Sequence, residues 1–276
     1  MNNILKRNKD GSIIWTKDQI NYITTNYKLN YSTGQLAKYF DTSTQAIRNC
    51  LKHSGVRVLS LQEQQHIKHP RCSNYFENID TKEKAYWLGF LYADGCVSNR
   101  RNTISLNLKK EDEYMLRNFA NTIGTDNAIS HSKKMVDGKE FDQSHFSIRD
   151  AKMKADLMKW GCVPNKTYEE IEIPHIPDNL MWHFIRGVVD GDGSINYSNH
   201  NLRLSITSNS ETFLNQLKIK FGKDKLALDK HKTPMLVITG SKQLKPILDN
   251  IYKDSNDLIR LNRKYKIYLN HYGLCA

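Results

Sequence analysis

Two stretches of the sequence decide the fold: Ala85-Tyr-Trp-Leu-Gly-Phe-Leu-Tyr-Ala-Asp-Gly95 and His183-Phe-Ile-Arg-Gly-Val-Val-Asp-Gly-Asp-Gly193. Each is an apolar run of helical length with an internal glycine, and each ends on a small residue followed by Asp-Gly. Aligned on that ending, Gly89 matches Gly187 and Asp94 matches Asp192. The copies are separated by the length of a small domain, which indicates an internal duplication rather than a short repeat.

The make-up of these runs predicts two helices in close contact. A glycine inside a helix costs about 1 kcal/mol relative to alanine, so Gly89 and Gly187 need a packing reason, such as a backbone-to-backbone approach. The glycines after the aspartates suit helix ends that turn sharply. Asp94 and Asp192 would then meet at one end of the helix pair. Neighbouring carboxylates repel, and a divalent cation that prefers hard oxygen ligands, such as Mg²⁺, would neutralise them.

The paired runs resemble the two motifs of LAGLIDADG homing endonucleases in their single-chain form, over roughly residues 80 to 270. The resemblance implies an α+β fold of two pseudo-symmetric αββαββα repeats with antiparallel DNA-binding sheets. It implies cleavage of both strands of one long, pseudo-palindromic duplex site, as in intron homing. It also implies that Asp94 and Asp192 bind the metal with help from the backbone carbonyls of Ala93 and Gly191. Mg²⁺ is the expected cofactor, and Mn²⁺ is expected to substitute for it.

The first motif departs from the family pattern, because Tyr92 stands where the second motif has Asp190. The later aspartate of each motif is the one that the family uses, so this departure leaves the metal site intact. The family often carries a lysine near the active site. Lys166 and Lys264 stand at similar positions, so the resemblance implies both as catalytic candidates that hold a water or stabilise phosphate charge. A surface lysine or a phosphate-clamping basic segment is the alternative.

Alternating apolar and polar residues after each motif predict half-buried strands. Thr103–Lys109, His145–Arg149 and Leu202–Thr207 all alternate in this way. Their polar residues would form a hydrophilic, cationic surface that suits the major groove of duplex DNA, although ordinary exposed strands also alternate. The candidate DNA-binding residues on these strands are Ser105, Asn107, Lys109, Ser147, Arg149, Arg203, Ser205 and Thr207.

The N-terminal residues carry three helix-start signatures of the form Ser/Thr-x-x-Gln, beginning at Thr16, Ser32 and Thr42. Each predicts a capping box, in which two otherwise unpaired N–H groups are satisfied reciprocally. Three short helices with a tight turn at residues 40–42 resemble a helix-turn-helix module, a small all-α domain. Its third helix would read DNA, with candidate contacts from Arg48, Asn49 and Lys52. A three-helix packing domain with a solvated face is the alternative.

These patterns predict four segments along the chain. They are a helix-turn-helix module over residues 1–57, a basic linker over 58–80, a first repeat over 81–175 and a second repeat over 176–276. Because both motifs lie in one chain, we expect the protein to act as a monomer.

Composition narrows the class of protein. The 276 residues include 41 Lys and Arg against 29 Asp and Glu, a net charge of +12, which favours a polyanionic partner such as double-stranded DNA. The five cysteines form no CxxC pair, so neither a zinc site nor a disulfide framework is indicated. No apolar run approaches the roughly 20 residues of a membrane span, and no secretion signal is evident. These features predict a cytoplasmic or organellar protein without a membrane partner.

Two further functions remain open on the sequence alone. A DNA-binding regulator could use the same scaffold without catalysis, and the helix-turn-helix pattern favours that role. An RNA maturase that assists intron splicing is a known second role of the family. The two intact motif aspartates favour the endonuclease over the regulator.

Overall fold

A computed structural model describes residues 5–9, 11–28, 31–59, 63, 71–125, 129–136, 138–165, 169–198, 201–223, 225–229 and 231–273. The chain divides into two compact units, Met1–Pro70 and Arg71–Ala276. The division falls inside the segment 58–80 that the sequence predicts as a linker.

The smaller unit combines a hairpin with three helices. Its elements are β1 (Lys6–Arg7), β2 (Ile13–Ile14), α1 (Lys17–Lys28), α2 (Thr33–Tyr39) and α3 (Thr44–His53). The prediction of an all-α domain was wrong in this respect, because β1 and β2 pair as an antiparallel ribbon, with Lys6 opposite Ile14. Two-residue strands are too short for alternation to be read from sequence. Apolar residues of all three helices form the core of this unit, including Ile23, Leu36, Phe40 and Ile47.

Two of the three predicted capping boxes are confirmed. Gln19 N–H donates to the Thr16 hydroxyl at 3.2 Å while the Gln19 side chain accepts from Thr16 N–H at 3.1 Å. The box at Ser32 is also complete. The third prediction was wrong by one residue, since Ser43, not Thr42, caps α3 and accepts from Ala46 N–H at 3.1 Å. Thr42 N–H instead bonds the Ala37 carbonyl at 2.9 Å and closes the preceding helix.

The larger unit contains the predicted order αββαββα twice. The first copy comprises α4 (Lys82–Ala93), β3 (Gly95–Val97), β4 (Thr103–Lys109), α5 (Glu113–Thr122), β5 (Ser130–Val136), β6 (Lys139–Arg149) and α6 (Ala151–Lys159). The second comprises α7 (Met181–Gly191), β7 (Gly193–Ser198), β8 (Asn201–Thr207), α8 (Glu211–Lys220), β9 (Ala227–Leu228), β10 (Pro234–Thr239) and α9 (Ser241–Tyr252). Short 3₁₀ turns at Lys110–Asp112 and Asp178–Leu180 precede α5 and α7. A final helix, α10 (Asn262–Tyr272), is not evident in the sequence pattern.

Each copy builds one four-stranded antiparallel sheet. The strand orders are β3-β4-β6-β5 and β7-β8-β10-β9, so the two sheets have the same topology. The apolar residues of the alternating strands are buried as predicted, for example Leu106 on β4 and Leu204 on β8. They pack in one core with residues of α4 and α7. The polar residues therefore lie on the opposite face of each sheet.

None of the helices in the described ranges is long and apolar enough to cross a membrane.

Candidate active site and nucleic-acid interface

The two motif helices, α4 and α7, touch backbone to backbone. A Cβ atom added to Gly89 would lie 2.0 Å from the Phe184 carbonyl oxygen, and one added to Gly187 would lie 2.1 Å from the Tyr86 carbonyl oxygen. Both distances are far below any contact that real atoms make. The predicted packing reason for these internal glycines is therefore correct.

Gly95 and Gly193, which follow the two aspartates, are required for a different structural reason from the sharp turn that the sequence predicts. Neither Gly95 nor Gly193 is among the residues with positive φ. A Cβ on Gly95 would lie 2.4 Å from the Leu91 carbonyl oxygen, and one on Gly193 would lie 2.5 Å from the Val189 carbonyl oxygen. These positions need glycine because the strand leaves so close to the helix end, not because the backbone is left-handed.

Asp94 and Asp192 are the C-terminal caps of α4 and α7. Asp94 is half-buried and Asp192 is exposed. A Cβ on Gly191 would lie 2.3 Å from the Ala93 Cβ and 3.4 Å from the Asp94 backbone nitrogen, so the two helix ends are in contact. The fold therefore brings together all four residues that the sequence predicts as metal ligands.

Lys264 lies beneath the end of the second motif helix. Its side chain is buried, and its Nζ donates to the carbonyl oxygens of Val189 at 2.7 Å and Asp190 at 2.8 Å, with a further short bond to the Gly193 carbonyl. Burial lowers the pKa of the Lys264 ammonium to about 8, and the Asp190 carboxylate opposes that shift. Asp94 and Asp192 act on this pKa in the same direction as Asp190, so both are within electrostatic reach of Lys264.

A buried polar network that the sequence did not predict surrounds Asp190. The Asp190 carboxylate accepts from the Tyr86 hydroxyl at 3.0 Å and from Leu261 N–H at 2.8 Å. Burial raises the pKa of this carboxyl group, and the Lys264 ammonium opposes the rise. Arg186, also fully buried, lies over the Tyr86 ring at 5.4 Å and donates to the Ile259 carbonyl at 2.8 Å. An arginine and an aspartate inside an apolar helix were the sequence signal for this network.

Tyr92 in the first repeat and Asp190 in the second connect their motif helices to more distant parts of the chain. The Tyr92 hydroxyl donates to the carbonyl oxygens of Trp160 at 2.8 Å and Glu172 at 3.0 Å. Asp190 accepts from Leu261 N–H, so each residue connects its motif helix to a later segment of its own repeat. In the first motif, a tyrosine hydroxyl that donates thus replaces an aspartate carboxylate that accepts, and the hydrogen-bonded connection is kept.

The predicted polar residues of the first sheet share one face. Ser105 pairs with Ser147, Asn107 with His145 and Thr103 with Arg149 across β4 and β6. Asn107, Lys109 and Arg149 are exposed, while Ser105 and Ser147 are half-buried.

In the second sheet, Arg203, Ser205 and Thr207 also share one face and are half-buried. Their partners on β10 are Thr239, Val237 and Met235.

In the smaller unit, the polar face of α3 borders a cleft of about 680 Å³ that also includes Arg7 of the hairpin. Asn49 and Lys52 are exposed and Arg48 is half-buried. The Gln45 side-chain amide donates to the Asn49 side chain at 2.9 Å.

Lys166, the other predicted catalytic lysine, lies outside the described residues.

The donor set fits Mg²⁺ in part. Asp94 and Asp192 supply hard oxygen atoms, and Mg²⁺ in proteins is typically held by one or two carboxylates with waters and substrate phosphates. Within the described ranges, no group of three or more His, Cys, Asp or Glu that could hold a metal is found. The Gly191 carbonyl lies 3.5 Å from the Lys264 ammonium, which makes it the weaker of the two predicted backbone ligands.

Comparison with known proteins agrees with this architecture. Residues 179–252 match the family described as a LAGLIDADG-like domain. Among solved structures, the homing endonuclease I-WcaI bound to its DNA recognition sequence is similar, with 14% identity and a TM-score of 0.51, over 78% of this chain and 97% of that one. The meganuclease I-SmaMI bound to uncleavable DNA has 13% identity and a TM-score of 0.48, over 71% of this chain and 89% of that one. No curated protein is significantly similar in sequence.

Proposed function

Because residues 179–252 match a LAGLIDADG-like domain and the chain has the LAGLIDADG fold, we propose that it is a site-specific, divalent-metal-dependent DNA endonuclease. It hydrolyses one phosphodiester bond in each strand of a long, pseudo-palindromic duplex site, and it acts as a monomer. The observation that carries the proposal is that Asp94 and Asp192 cap two helices whose backbones and C-terminal ends are in contact. One carboxylate from each repeat then serves each DNA strand.

The chain's own residues have three tasks in this mechanism. Asp94 and Asp192 hold the divalent ion, with the Ala93 carbonyl as the favoured backbone ligand. The bound ion supplies Lewis acidity and lowers the pKa of a coordinated water, in the way that Mg²⁺ and Mn²⁺ do in nucleases generally. Lys264 acts as a positioning residue, since its ammonium binds the backbone that carries Asp192.

DNA binding is assigned to the sheet faces and to α3. The polar faces of the two sheets carry hydrogen-bonding and cationic residues, and the net charge of the whole chain is +12. Cationic residues that neutralise phosphates supply most of the sequence-independent affinity for DNA. In the smaller unit, Arg48, Asn49 and Lys52 on α3 contact DNA as the reading helix of a helix-turn-helix module does.

The test is cleavage of a randomised library of duplex sites with Mg²⁺, with Mn²⁺ in a parallel reaction. Wild type is compared with Asp94→Asn, Asp192→Asn and the matched control Asp178→Asn, whose side chain is 98% exposed. We expect double-strand cuts at one long site, lost in the first two variants and kept in the control.

The same assay separates the alternatives. Tight duplex binding without cutting in either metal would contradict the endonuclease and favour the regulator, a role to which the three helices of the smaller unit are suited. Binding to structured RNA without binding to duplex DNA would favour the maturase.

A further inference from the structure

The two sheets can be compared position by position. Gly95 after the first motif pairs with Leu106, and Gly193 after the second pairs with Ile206. These matched pairs align β4 with β8, and the neighbouring ladders then align β6 with β10. Three outward-facing cross-strand pairs of the first sheet correspond to three of the second: Thr103–Arg149 to Arg203–Thr239, Ser105–Ser147 to Ser205–Val237, and Asn107–His145 to Thr207–Met235.

The first of these pairs keeps its chemistry and the other two do not. Each sheet has one threonine opposite one arginine at the first position, with the strands exchanged. At the next two positions, Ser147 and His145 of the first sheet are replaced by Val237 and Met235 of the second. At these two positions the hydrogen-bonding side chains of β6 are therefore replaced by apolar side chains on β10.

Val237 and Met235 are not core residues. Both are half-buried, whereas their neighbours Leu236 and Ile238, which face the helices, are buried at 1% exposure. Alternation along a strand places Val237 and Met235 on the face with Ser205 and Thr207. Two apolar side chains thus lie on a surface whose outward pairs between β7 and β8 are polar, with Ala227 of β9 opposite Met235 on the other side.

We propose that the two sheets read their half-sites by different chemistry, and that Met235 and Val237 are specificity-determining residues that contact thymine methyl groups. This inference rests on the proposed function, in which both sheet faces lie in the major groove. The C5-methyl group of thymine is the apolar feature of that groove, and apolar side chains recognise it by contact. The first sheet, with Ser147 and His145 in those places, reads its half-site by hydrogen bonds.

Charge on the same face favours DNA over a protein partner. The Arg203 guanidinium reaches along the face to 3.7 Å from the Met235 sulfur, so the apolar pair is bordered by a cation. A thioether sulfur is a weak acceptor, and it leaves the guanidinium available to a phosphate or a guanine. An apolar patch for a protein partner would be expected to be larger, since Ser205 and Thr207 of β8 lie directly across from the apolar pair and β9 adds only the small side chain of Ala227 opposite Met235.

Uracil substitution tests the inference directly. Deoxyuridine keeps every hydrogen-bonding group of thymine and lacks only the methyl group. Binding to the selected site is measured after all thymines of one half-site, and then of the other, are replaced by uracil. We expect the affinity to fall when uracil is placed in one half-site only. The expected decrease is about four-fold for each lost methyl contact, which corresponds to about 0.8 kcal/mol per buried methyl.

A matched exchange of side chains assigns that half-site to a sheet. Met235→His with Val237→Ser gives the second sheet the residues of the first, and we expect it to abolish the uracil effect. His145→Met with Ser147→Val makes the reverse exchange and should create a uracil effect in the other half-site. Thermal unfolding of each variant, compared with wild type, tests whether it remains folded.

The outcomes separate the inference from the function on which it rests. Equal uracil effects in both half-sites, no effect in either, or an effect that persists in the Met235→His, Val237→Ser variant would overturn the inference while cleavage continues. Failure to bind or cut any duplex would contradict the proposed function, and the inference with it.

Discussion

The hydroxyl of Tyr86 donates a hydrogen bond to the carboxylate of Asp190 at 3.0 Å, and this bond joins the two motif helices through a fully buried interface. Tyr86 belongs to the first repeat and Asp190 to the second. Asp190 lies two residues before Asp192, so the bond connects one repeat to the helix end of the other repeat that carries Asp192. The Lys264 ammonium, on the Asp190 backbone carbonyl, supports the same helix end from beneath.

Tyr86→Phe removes this hydroxyl and leaves the Asp190 carboxylate with one hydrogen bond fewer in a buried place. We expect a loss of roughly 1–3 kcal/mol in the free energy of unfolding, the usual cost of a buried polar group that loses its partner. Urea unfolding followed by tryptophan fluorescence measures it, and Trp87 in α4 is a buried reporter for this interface.

The control for Tyr86→Phe is Tyr197→Phe, which makes the same change at a residue that is 54% exposed. That variant should stay within about 0.5 kcal/mol of wild type. Equal effects of the two substitutions on the free energy of unfolding would show that the hydrogen bond to Asp190 contributes no more than an exposed tyrosine hydroxyl does.

Gly89→Ala tests the backbone contact of the motif helices. The added methyl group would lie 2.0 Å from the Phe184 carbonyl oxygen, and a backbone atom cannot move away as a flexible side chain can. We expect a loss of about 3 kcal/mol or more in stability, in the range of the most disruptive core changes. Cleavage of both strands should fall together, because the change separates the two helix ends that carry Asp94 and Asp192.

Gly34→Ala serves as the control for this substitution. Gly34 lies in α2 of the smaller unit, and an added Cβ would meet only the Ser32 hydroxyl oxygen at 3.8 Å. Alanine there should be neutral or stabilise by up to about 1 kcal/mol. Retention of full double-strand cleavage by Gly89→Ala would contradict the geometry of the site.

Lys264→Met tests the positioning role of the buried ammonium. Methionine has a similar length but leaves the carbonyl oxygens of Val189 and Asp190 without their donor. We expect the strand cut that depends on Asp192 to slow about ten-fold or more, with a smaller effect on the other strand. A supercoiled plasmid that carries the site should then accumulate as the nicked circle before it becomes linear.

A control variant and the order in which products form make the Lys264 result specific. Lys245→Met replaces an exposed lysine that pairs with Asp249 and should leave the cleavage pattern unchanged. Linear product that forms without nicked intermediate in Lys264→Met would show that Lys264 does not act on one side of the site.

The pH dependence of stability should reflect His183 on α7. Burial, followed by the nearby Arg186 guanidinium, lowers the pKa of His183 to about 4 from its ordinary 6.5, while Asp254 and Glu83 partly oppose the shift. Between these values the unfolded chain takes up a proton that the folded chain does not. Stability therefore falls as the pH falls through this window.

The expected loss from about pH 7 to about pH 5 is on the order of 1 kcal/mol, since partial exposure of His183 screens the shift. Urea unfolding at the two pH values measures it. His183→Gln cannot titrate, so its loss over the same interval should be smaller than that of wild type by about this amount. An identical loss of stability in both proteins would show that His183 does not contribute to the pH dependence of stability.

Much of the larger unit could be predicted because its signals are local or repeated. Alternation in Thr103–Lys109 places Leu106 inward on any half-buried strand, and the structure agrees. The matched glycines Gly89 and Gly187 predicted a close helix contact, because a helix interior has few other reasons to carry glycine. The start of α3 and the β1–β2 ribbon were missed, since a cap or a two-residue strand depends on where neighbouring hydrogen bonds close.

By itself, the sequence determined that two equivalent acidic helix ends exist and which polar residues follow each strand, since spacing and period are properties of the chain. Only the tertiary structure decided what surrounds them. Lys264 lies 72 residues after Asp192 in the sequence, yet its ammonium is buried against the carbonyl of Asp190. The pairing of Val237 with Ser205 likewise depends on strand register. Contacts between distant residues are set by packing and register, which no local pattern records.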